Sequence, residues 1–367
     1  MKSMGKPDNK KQKKWWQILL LVLGWIVLAI VAVFLFFLIF LSATEFKPAA
    51  KMDAKVHGSP SRTVQQGDTL SIMTWNMGFG ALGDNADFFM DGGNMVKTAD
   101  EKRVRENVAG VQAELKEVKP DAVFLQEIDI DSDRSYKINE VQTISDSMPG
   151  YTSSFANNFK VRYDPYPIPP MGKIDSGICT LTSLPVADSY RLSLPVPFKW
   201  PVRLGNLKRC LLVSRVPLKN SKKELIFVNL HLEAYDDGAG KAAQTRKLRE
   251  ILDSEVRKGN YVIAGGDFNQ VFSNVDTSKY PQRKDTWAPG VIDVKDFPGL
   301  QMRMDSSTPS CRSLDRVLAE DTSDDFQWYV IDGFICSRNV RINSCRTQQL
   351  HFRNSDHNPV ILNATLL

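Results

Sequence analysis

The stretch YVIAGGDFNQ, residues 261–270, has the pattern of a buried strand that ends on polar side chains. Residues 261–264 are a short apolar run, and two glycines connect it to Asp267, Phe268 and Asn269. Alternate side chains of an extended segment share a face, so Asp267 and Asn269 should point the same way. The stretch therefore predicts a buried strand that carries a carboxylate and a carboxamide to one place.

Several other predicted strands also contain, or border on, a polar residue that does not match the apolar run around it. They are LSIMTWN (70–76) with Asn76, DAVFLQE (121–127) with Glu127, ELIFVNLHL (224–232) with His231, FQWYVIDGFIC (326–336) with Asp332, and NPVILNATL (358–366), preceded by Asp356 and His357. Taken singly, such residues have ordinary explanations as turn formers or structural histidines. Taken together, carboxylates in apolar contexts require pairing or a metal ion, and two of the four histidines in the chain belong to the set.

The residue types in this set suit one kind of chemistry. Carboxylate and carboxamide oxygens favour a hard cation, Mg²⁺ rather than Zn²⁺. An aspartate beside a histidine suits acid–base catalysis, because the carboxylate holds the imidazole and stabilises its charged form. An oxygen-ligated Mg²⁺ with histidines around it is what the cleavage of a phosphate ester requires.

The remaining pattern alternates helices with strands and indicates the α/β class. A helix is predicted over 98–118, where apolar residues recur every three or four positions, with Thr98 and Glu101 as a capping box. A second helix is predicted over 244–256. The strands at 211–218 and 224–232 are joined by a short polar turn and predict a hairpin. This mixture fits an α/β sandwich of two sheets flanked by helices.

The N-terminal region has the pattern of a membrane anchor. Residues 18–41 are 24 consecutive residues without a charge or a proline, which is long enough to span a bilayer as a helix. A signal peptide is the alternative, but its apolar core is shorter, roughly 7–15 residues. The basic cluster at 10–14 predicts that the N-terminus is cytoplasmic and that everything after the span is extracytoplasmic. We therefore expect a basic cytoplasmic tail at 1–14, a transmembrane anchor at 15–42, a polar linker at 43–67 and one domain at 68–367.

The charge distribution bears on the partners. The formal net charge is +5, but residues 1–14 alone contain six lysines and one aspartate, so the other 353 residues balance to about zero. A surface that follows nucleic acid normally shows a basic surplus. The neutral balance weakens the interpretation as a nuclease without excluding it, since a local basic patch can exist within a neutral total.

The polar strand ends belong to an ordered series of short motifs. TWNMG, LQEID, SGICTLTSLP, VNLHLEA, GGDFNQ, IDGF and SDHNPV follow one another between residues 70 and 367. In this order they resemble the endonuclease/exonuclease/phosphatase superfamily, whose members include nucleases, inositol polyphosphate phosphatases and sphingomyelinases. The resemblance implies a four-layer α/β sandwich, in which two mixed β-sheets pack face to face between helices.

The resemblance also implies a role for each polar residue. Asn76 and Glu127 match the residues that hold Mg²⁺, for which Mn²⁺ can substitute, and Asp356 lies at the edge of the same site. Asp267 matches the residue that orients or deprotonates the attacking water, and Asn269 the group that hydrogen-bonds the phosphoryl oxygen. His357, steadied by Asp332, matches the histidine that stabilises the transition state or protonates the leaving oxygen, and His231 matches a second phosphate-contacting histidine.

Two positions depart from the family pattern. Leu230 stands where the family usually has threonine, and Gly333 stands where it usually has an aromatic residue. Neither position supplies an acid, a base or a ligand. The departures therefore concern the shape of the substrate groove rather than activity.

The motifs predict the reaction class and leave the substrate open. We expect a membrane-anchored, extracytoplasmic, Mg²⁺-dependent phosphodiesterase, with a phospholipid head group slightly preferred and with no obligate protein partner. The proline- and aromatic-rich loops at 163–173 and 194–209 suit a site that rests on a bilayer, with Phe198 and Trp200 as contacts. Ordinary loop packing is the alternative for both residues. Residues 88–95 are predicted to form a rim loop near the metal, and no substrate-binding residue is assigned.

Two other functions remain open. The basic residues Lys199, Arg203, Lys208 and Arg209 equally allow a groove for nucleic acid or for an inositol phosphate. A nucleic-acid groove would indicate a surface nuclease that cleaves extracellular DNA or RNA. An inactive, membrane-tethered binding module is the alternative from another class. The presence of both Asp267 and His357 speaks against it, because a scaffold does not need this pair.

Overall fold

A computed structural model describes residues 9–320 and 326–367 of the chain. The chain divides into two units, Met1–Glu45 and Phe46–Leu367. The first contains one helix, α1 (Asn9–Ala43). Its segment Lys14–Ala43 has a mean hydropathy of 3.2 and exposes its apolar side chains, so it is long and apolar enough to cross a membrane. Residues 1–8 of the predicted tail lie outside the described residues.

The second unit contains the remaining helices and the strands. The helices are α2 (Glu101–Val118), α3 (Glu140–Ser147) and α4 (Ala239–Arg257). The strands are β1 (Lys51–Asp53), β2 (Val56–Gly58), β3 (Thr69–Asn76), β4 (Ala122–Asp129), β5 (Thr152–Asp164), β6 (Gly172–Thr182), β7 (Asp188–Ser193), β8 (Cys210–Pro217), β9 (Glu224–His231), β10 (Tyr261–Asp267), β11 (Gln270–Phe272), β12 (Gly290–Ile292), β13 (Leu300–Arg303), β14 (Cys311–Arg312), β15 (Trp328–Tyr329), β16 (Asp332–Ser337), β17 (Val340–Thr347) and β18 (Val360–Leu366).

Within the described residues these strands form two seven-stranded sheets and two small ribbons. The first sheet has the order β1-β7-β8-β9-β10-β16-β13, and the second has the order β17-β18-β3-β4-β6-β5-β2. The pairs β9–β10 and β3–β4 are parallel, and their neighbours in both sheets pair antiparallel. Both sheets are therefore mixed, as expected.

The two sheets pack face to face through a fully buried aromatic contact. The ring of Phe124 in β4 lies 5.5 Å from that of Phe227 in β9 and 6.4 Å from that of Phe334 in β16. On the outer face of the second sheet, α2 buries Val104, Val108, Val111 and Leu115. On the outer face of the first sheet, α4 buries Leu248 and Leu252. Helix, sheet, sheet and helix form the four layers, which confirms the predicted fold class.

Three local predictions need correction. The helix predicted from Thr98 begins at Glu101, because Asp100 is its N-cap and accepts a hydrogen bond from the Arg103 amide at 2.7 Å. The strand predicted over 326–336 is two strands, β15 and β16, which belong to different sheets. The segment predicted as a linker contains β1 and β2, which pair with β7 and β5, so the folded unit begins well before residue 68. Both strands expose their side chains, and composition does not reveal such backbone pairing.

Candidate active site

Strand register brings the predicted site residues to one end of the sandwich. Asp267, the last residue of β10, lies opposite His231 at the end of the parallel strand β9. On its other side it lies opposite Asp332, the first residue of the antiparallel strand β16. In the second sheet Asn76, at the end of β3, lies opposite Gln126 in β4, next to Glu127. The parallel strands of each sheet thus bring their polar residues to the same end of the sandwich.

Asn76 connects the two sheets at this end of the sandwich through side-chain hydrogen bonds. Its side-chain nitrogen lies 3.1 Å from Asp267 Oδ2 in the first sheet and 3.3 Å from Glu127 Oε1 in the second. Its side-chain oxygen accepts a hydrogen bond from the Gly78 amide at 3.0 Å. The buried carboxamide therefore fixes the distance between two carboxylates.

The backbone is held in the left-handed region at two of the site residues. Glu127 has φ +48° and lies where the pairing of β4 with β6 shifts register between Leu125 and Ile128. Asn269 has φ +51°, and its side-chain nitrogen donates to the Leu232 carbonyl at 2.9 Å. Such conformations are costly for residues other than glycine, and they concentrate at functional sites. Here they interrupt the extended backbone at Glu127 within β4 and at Asn269 between β10 and β11.

His357 and Asp332 form a buried pair. His357 Nδ1 lies 2.8 Å from Asp332 Oδ2, and the other ring nitrogen, Nε2, lies 3.8 Å from Asp267 Oδ2 and 3.9 Å from Asp356 Oδ2. Burial by itself lowers the pKa of His357, but the Asp332 carboxylate outweighs it and holds this pKa well above the usual value. His357 is therefore a charged imidazolium at neutral pH.

His231 has the opposite protonation. Its Nε2 lies 3.4 Å from Asp267 Oδ2, and its Nδ1 has no hydrogen-bond partner among the described residues. Burial, together with the nearby positive charges of Arg209 and His357, lowers the pKa of His231 well below its usual value. The site therefore places a neutral and a charged imidazole on either side of one carboxylate.

That carboxylate, Asp267, has the properties of a general base. Burial raises its pKa to about 7, and repulsion from Asp332 adds to the effect. Hydrogen bonds from the Asn269 amide at 2.9 Å and from Asn76 orient its two oxygens. A base whose pKa lies near the working pH both accepts and returns a proton efficiently.

The same end of the molecule has the donors for a divalent cation. Burial raises the pKa of Asp356 to about 6, and the carboxylate of Glu127 contributes by repulsion. A Cβ atom at position 78 would lie 2.8 Å from Asp356 Oδ1, so Gly78 leaves the space beside this oxygen open. The two mutually repelling carboxylates, Asp356 and Glu127, offer oxygen ligands of the kind that a hard cation such as Mg²⁺ prefers. Because the Asn76 oxygen already accepts from Gly78, Glu127 and Asp356 are the better placed donors.

The site opens into a cavity of about 440 Å³. Its polar wall is made of the residues that the sequence singles out, namely Glu127, His231, Asp267, Asn269, Asp356 and His357. The predicted rim loop at 88–95 also lines it, with Phe88, Phe89, Met90 and Asp91. Asn76 and Asp332 lie behind this wall and act through the residues that they contact.

Sequence reasoning missed the aromatic wall of the cavity. It is built from aromatic residues of separate segments, among them Tyr166, Tyr235 and Trp287 in loops and Tyr329 in β15. These residues are far apart along the chain and follow no helical or strand period. The only signal is the unusual density of aromatic residues and prolines in the loops, for which packing is an equally good explanation.

Comparisons with known proteins agree with the fold. The family model described as "Endonuclease/Exonuclease/phosphatase family" matches residues 73–351. A search of curated protein sequences finds no significant match.

Solved structures share the fold at low sequence identity. One is an endonuclease/exonuclease/phosphatase from Beutenbergia cavernae DSM 12333, with 17% identity over 81% of this chain and 72% of that chain and a TM-score of 0.53. A family protein from Bacteroides thetaiotaomicron has 14% identity, coverage of 83% and 97%, and a TM-score of 0.53. The human Nocturnin catalytic domain with bound sulfate anion has 14% identity, coverage of 86% and 98%, and a TM-score of 0.51. At such identities the similarity concerns the fold alone.

Proposed function

The chain belongs to the endonuclease/exonuclease/phosphatase family, and we propose that it is a membrane-anchored, metal-dependent phosphodiesterase. The observation that carries the proposal is the convergence of Asp267, neutral His231 and charged His357 on one cavity. A base that has a charged acid and a neutral imidazole each within 4 Å of its carboxylate meets the needs of phosphoester hydrolysis. An inactive binding module does not explain this arrangement.

The side chains act on the two oxygens that exchange at phosphorus. Asp267 takes a proton from the attacking water as its oxygen bonds to phosphorus, and the ester P–O bond breaks on the opposite side. His357 donates its Nε2 proton to the departing alkoxide oxygen, while Asp332 keeps the ring oriented through Nδ1. Asn269 and His231 hydrogen-bond the phosphoryl oxygens as their negative charge increases. The products are a phosphomonoester and an alcohol.

Glu127 and Asp356 would hold the cation, with Asn76 positioning Glu127. When bound, Mg²⁺ or Mn²⁺ neutralises charge on the phosphoryl group and orients it. Their oxygen donors favour these ions over zinc.

Exposed apolar side chains beside the cavity favour a phospholipid substrate. Ile168, Trp200 and Val202 are 92%, 54% and 59% exposed, and they belong to the two loops that contribute Tyr166, Gly205 and Leu207 to the cavity lining. Surfaces of this kind insert into the interfacial region of a bilayer. The apolar helix α1 would keep the enzyme at such a bilayer, with the catalytic unit on the extracytoplasmic side.

Two of the four residues of the basic cluster offer less to nucleic acid than the sequence predicts, whereas Lys199 is exposed and Arg203 is half-buried. Arg209 is only 3% exposed and faces Glu233 at 3.4 Å. Lys208 is 7% exposed, and its ammonium group donates to the Arg203 carbonyl. Basic residues turned into the protein cannot follow a phosphate backbone. We therefore favour the phospholipid over the nucleic acid.

The test is a substrate panel on the full-length chain in detergent micelles, with added Mg²⁺ or Mn²⁺ and with EDTA. We expect metal-dependent release of a phosphorylated head group from phospholipid vesicles, and little cleavage of DNA or RNA. Asp267→Ala and His357→Ala should each lose about 100-fold or more of the rate. His57→Ala, on the exposed strand β2, is the matched control and should keep full activity.

Two outcomes would contradict the proposal. Cleavage of nucleic acid without cleavage of lipid would favour the surface nuclease. Absence of metal-dependent turnover on every substrate, a generic aryl phosphodiester included, would favour a binding module.

A further inference from the structure

The cavity contains a second set of groups, which the hydrolysis does not use. We propose that its aromatic wall and Asp91 form a cage for a quaternary ammonium group on the substrate, so that the enzyme selects phosphodiesters with a cationic head group. This inference rests on the proposed function and names the substrate class of the same site.

The aromatic part of the cage is a chain of ring contacts. Phe88 and Phe89 meet edge to face, with their ring centroids 4.8 Å apart. Phe89 meets Tyr166 in the same manner at 6.1 Å, and the three rings line the cavity. The π faces of such rings stabilise a quaternary ammonium ion, which has no hydrogen to donate and which an ordinary polar pocket binds poorly.

Asp91 adds a carboxyl group to this wall. Burial raises its pKa to about 7, so a cation bound beside it favours its negatively charged form. It follows Met90 on the rim loop, and its Oδ1 accepts a hydrogen bond from the Tyr235 hydroxyl at 3.1 Å. That bond joins the rim loop to the loop after β9, and both residues line the cavity. A carboxylate among aromatic rings is the combination that attracts an alkylated cation and holds it.

The positive side chains of the cavity do not cancel this charge. Arg134 makes two hydrogen bonds with Asp129, at 3.0 and 3.1 Å, and its guanidinium lies over the Phe79 ring. Arg209 faces Glu233, and Arg312 donates to the carbonyls of Gly83 and Ala86. Each arginine is thus turned to partners within the protein, whereas Asp91 has only a neutral hydroxyl as its hydrogen-bond partner among the described residues. A cation suits this wall better than an anionic or polyhydroxylated head group does.

The kinetic test compares two soluble esters on the full-length chain in a neutral detergent. One is p-nitrophenyl phosphocholine, and the other is the same diester with a 3,3-dimethylbutyl group, which has the same shape without the charge. We expect kcat/KM to be about 10-fold or more higher for the choline ester, since about 1.4 kcal/mol corresponds to a factor of ten. In Asp91→Asn the ratio of the two values should fall towards one, and in the exposed control Asp188→Asn it should stay at the wild-type value.

A binding measurement makes the cage testable without turnover. Calorimetric titration of the full-length chain with tetramethylammonium chloride should show saturable binding, about 10-fold weaker in Asp91→Asn than in the wild type or in Asp188→Asn. Hydrolysis of both esters at equal rates would overturn the cage and leave the phosphodiesterase intact. Hydrolysis of neither ester would contradict the proposed phosphodiesterase activity. The cage would then be judged by binding alone, and it would be contradicted if tetramethylammonium bound equally to the wild type and to Asp91→Asn, or bound to neither.

Discussion

At the residue scale, the two histidines of the site differ because their neighbours differ. Asp332 lies 2.8 Å from His357 Nδ1 and raises the pKa of this ring, whereas Arg209 and burial act in the opposite direction on His231. The same side chain is therefore an acid at one position and a neutral hydrogen-bonding group at the other. Asp332 does not line the cavity and contacts His357, so we propose that it positions this ring.

Asp332→Asn should separate positioning from binding. The carboxamide keeps the shape of the side chain but no longer stabilises the charged imidazole, so we expect kcat to fall about 100-fold with KM nearly unchanged. Steady-state kinetics on a soluble aryl phosphodiester give both constants, and Asp188→Asn is the control for loss of a carboxylate elsewhere on the same sheet. A loss confined to KM, or an equal loss in the control, would contradict the role of Asp332.

At the element scale, the pairing of β10 with its two neighbouring strands depends on glycines. A Cβ atom at position 266, where φ is +154°, would collide with the Leu230 carbonyl on the neighbouring strand β9. Gly333 lies opposite Gly266 in the register of β10 with β16, and a Cβ there would lie 2.5 Å from the Arg303 carbonyl oxygen. The departure from the family pattern at position 333 therefore has a local cause, since an aromatic residue does not fit.

Gly266→Ala tests whether this close approach is required. We expect the substitution to destabilise the fold by about 2 kcal/mol or more, because both the backbone conformation and the contact with Leu230 must change. Thermal unfolding of the full-length chain in detergent measures the effect. The matched control is Gly299→Ala, where φ is also positive at +85° but nothing lies within 4 Å of the added Cβ atom. Because this substitution adds only backbone strain, it should lower the free energy of unfolding by about 1 kcal/mol. Equal losses at both positions would show that the contact at 266 is unimportant.

The elements also show how far sequence reasoning reaches. Strands β3, β4, β9 and β10 could be predicted, because buried strands are continuous apolar runs and their polar ends stand out. The long hairpin of β5 and β6 was not predicted, because β5 mixes exposed and buried residues without regular alternation. The contact between Phe89 and Tyr166 could not be predicted either, although both loops were expected at the rim, since it forms only through the packing of segments distant in sequence.

At the scale of the whole molecule, the site belongs to neither sheet alone. Asp267, His231 and Asp332 come from the first sheet, whereas Asn76 and Glu127 come from the second, and the Asn76 carboxamide contacts both groups. Packing of the sheets through Phe124 and Phe227 therefore fixes the distance between the base and the cation donors. The proposed activity therefore depends on the packing of the two sheets against each other.

The location of this sandwich relative to the membrane is the last prediction. The basic cluster at 10–14 precedes the apolar helix, so we expect the N-terminus inside the cell and the C-terminus outside. In intact cells, added protease should remove a tag placed after Leu367 and spare a tag placed before Met1 until the membrane is permeabilised. Replacement of Lys10, Lys11, Lys13 and Lys14 by glutamate should invert part of the population, because the orientation follows the lysine and arginine bias of the flanks. A C-terminal tag that is protected in intact wild-type cells would place the catalytic cavity in the cytoplasm and contradict the proposed topology.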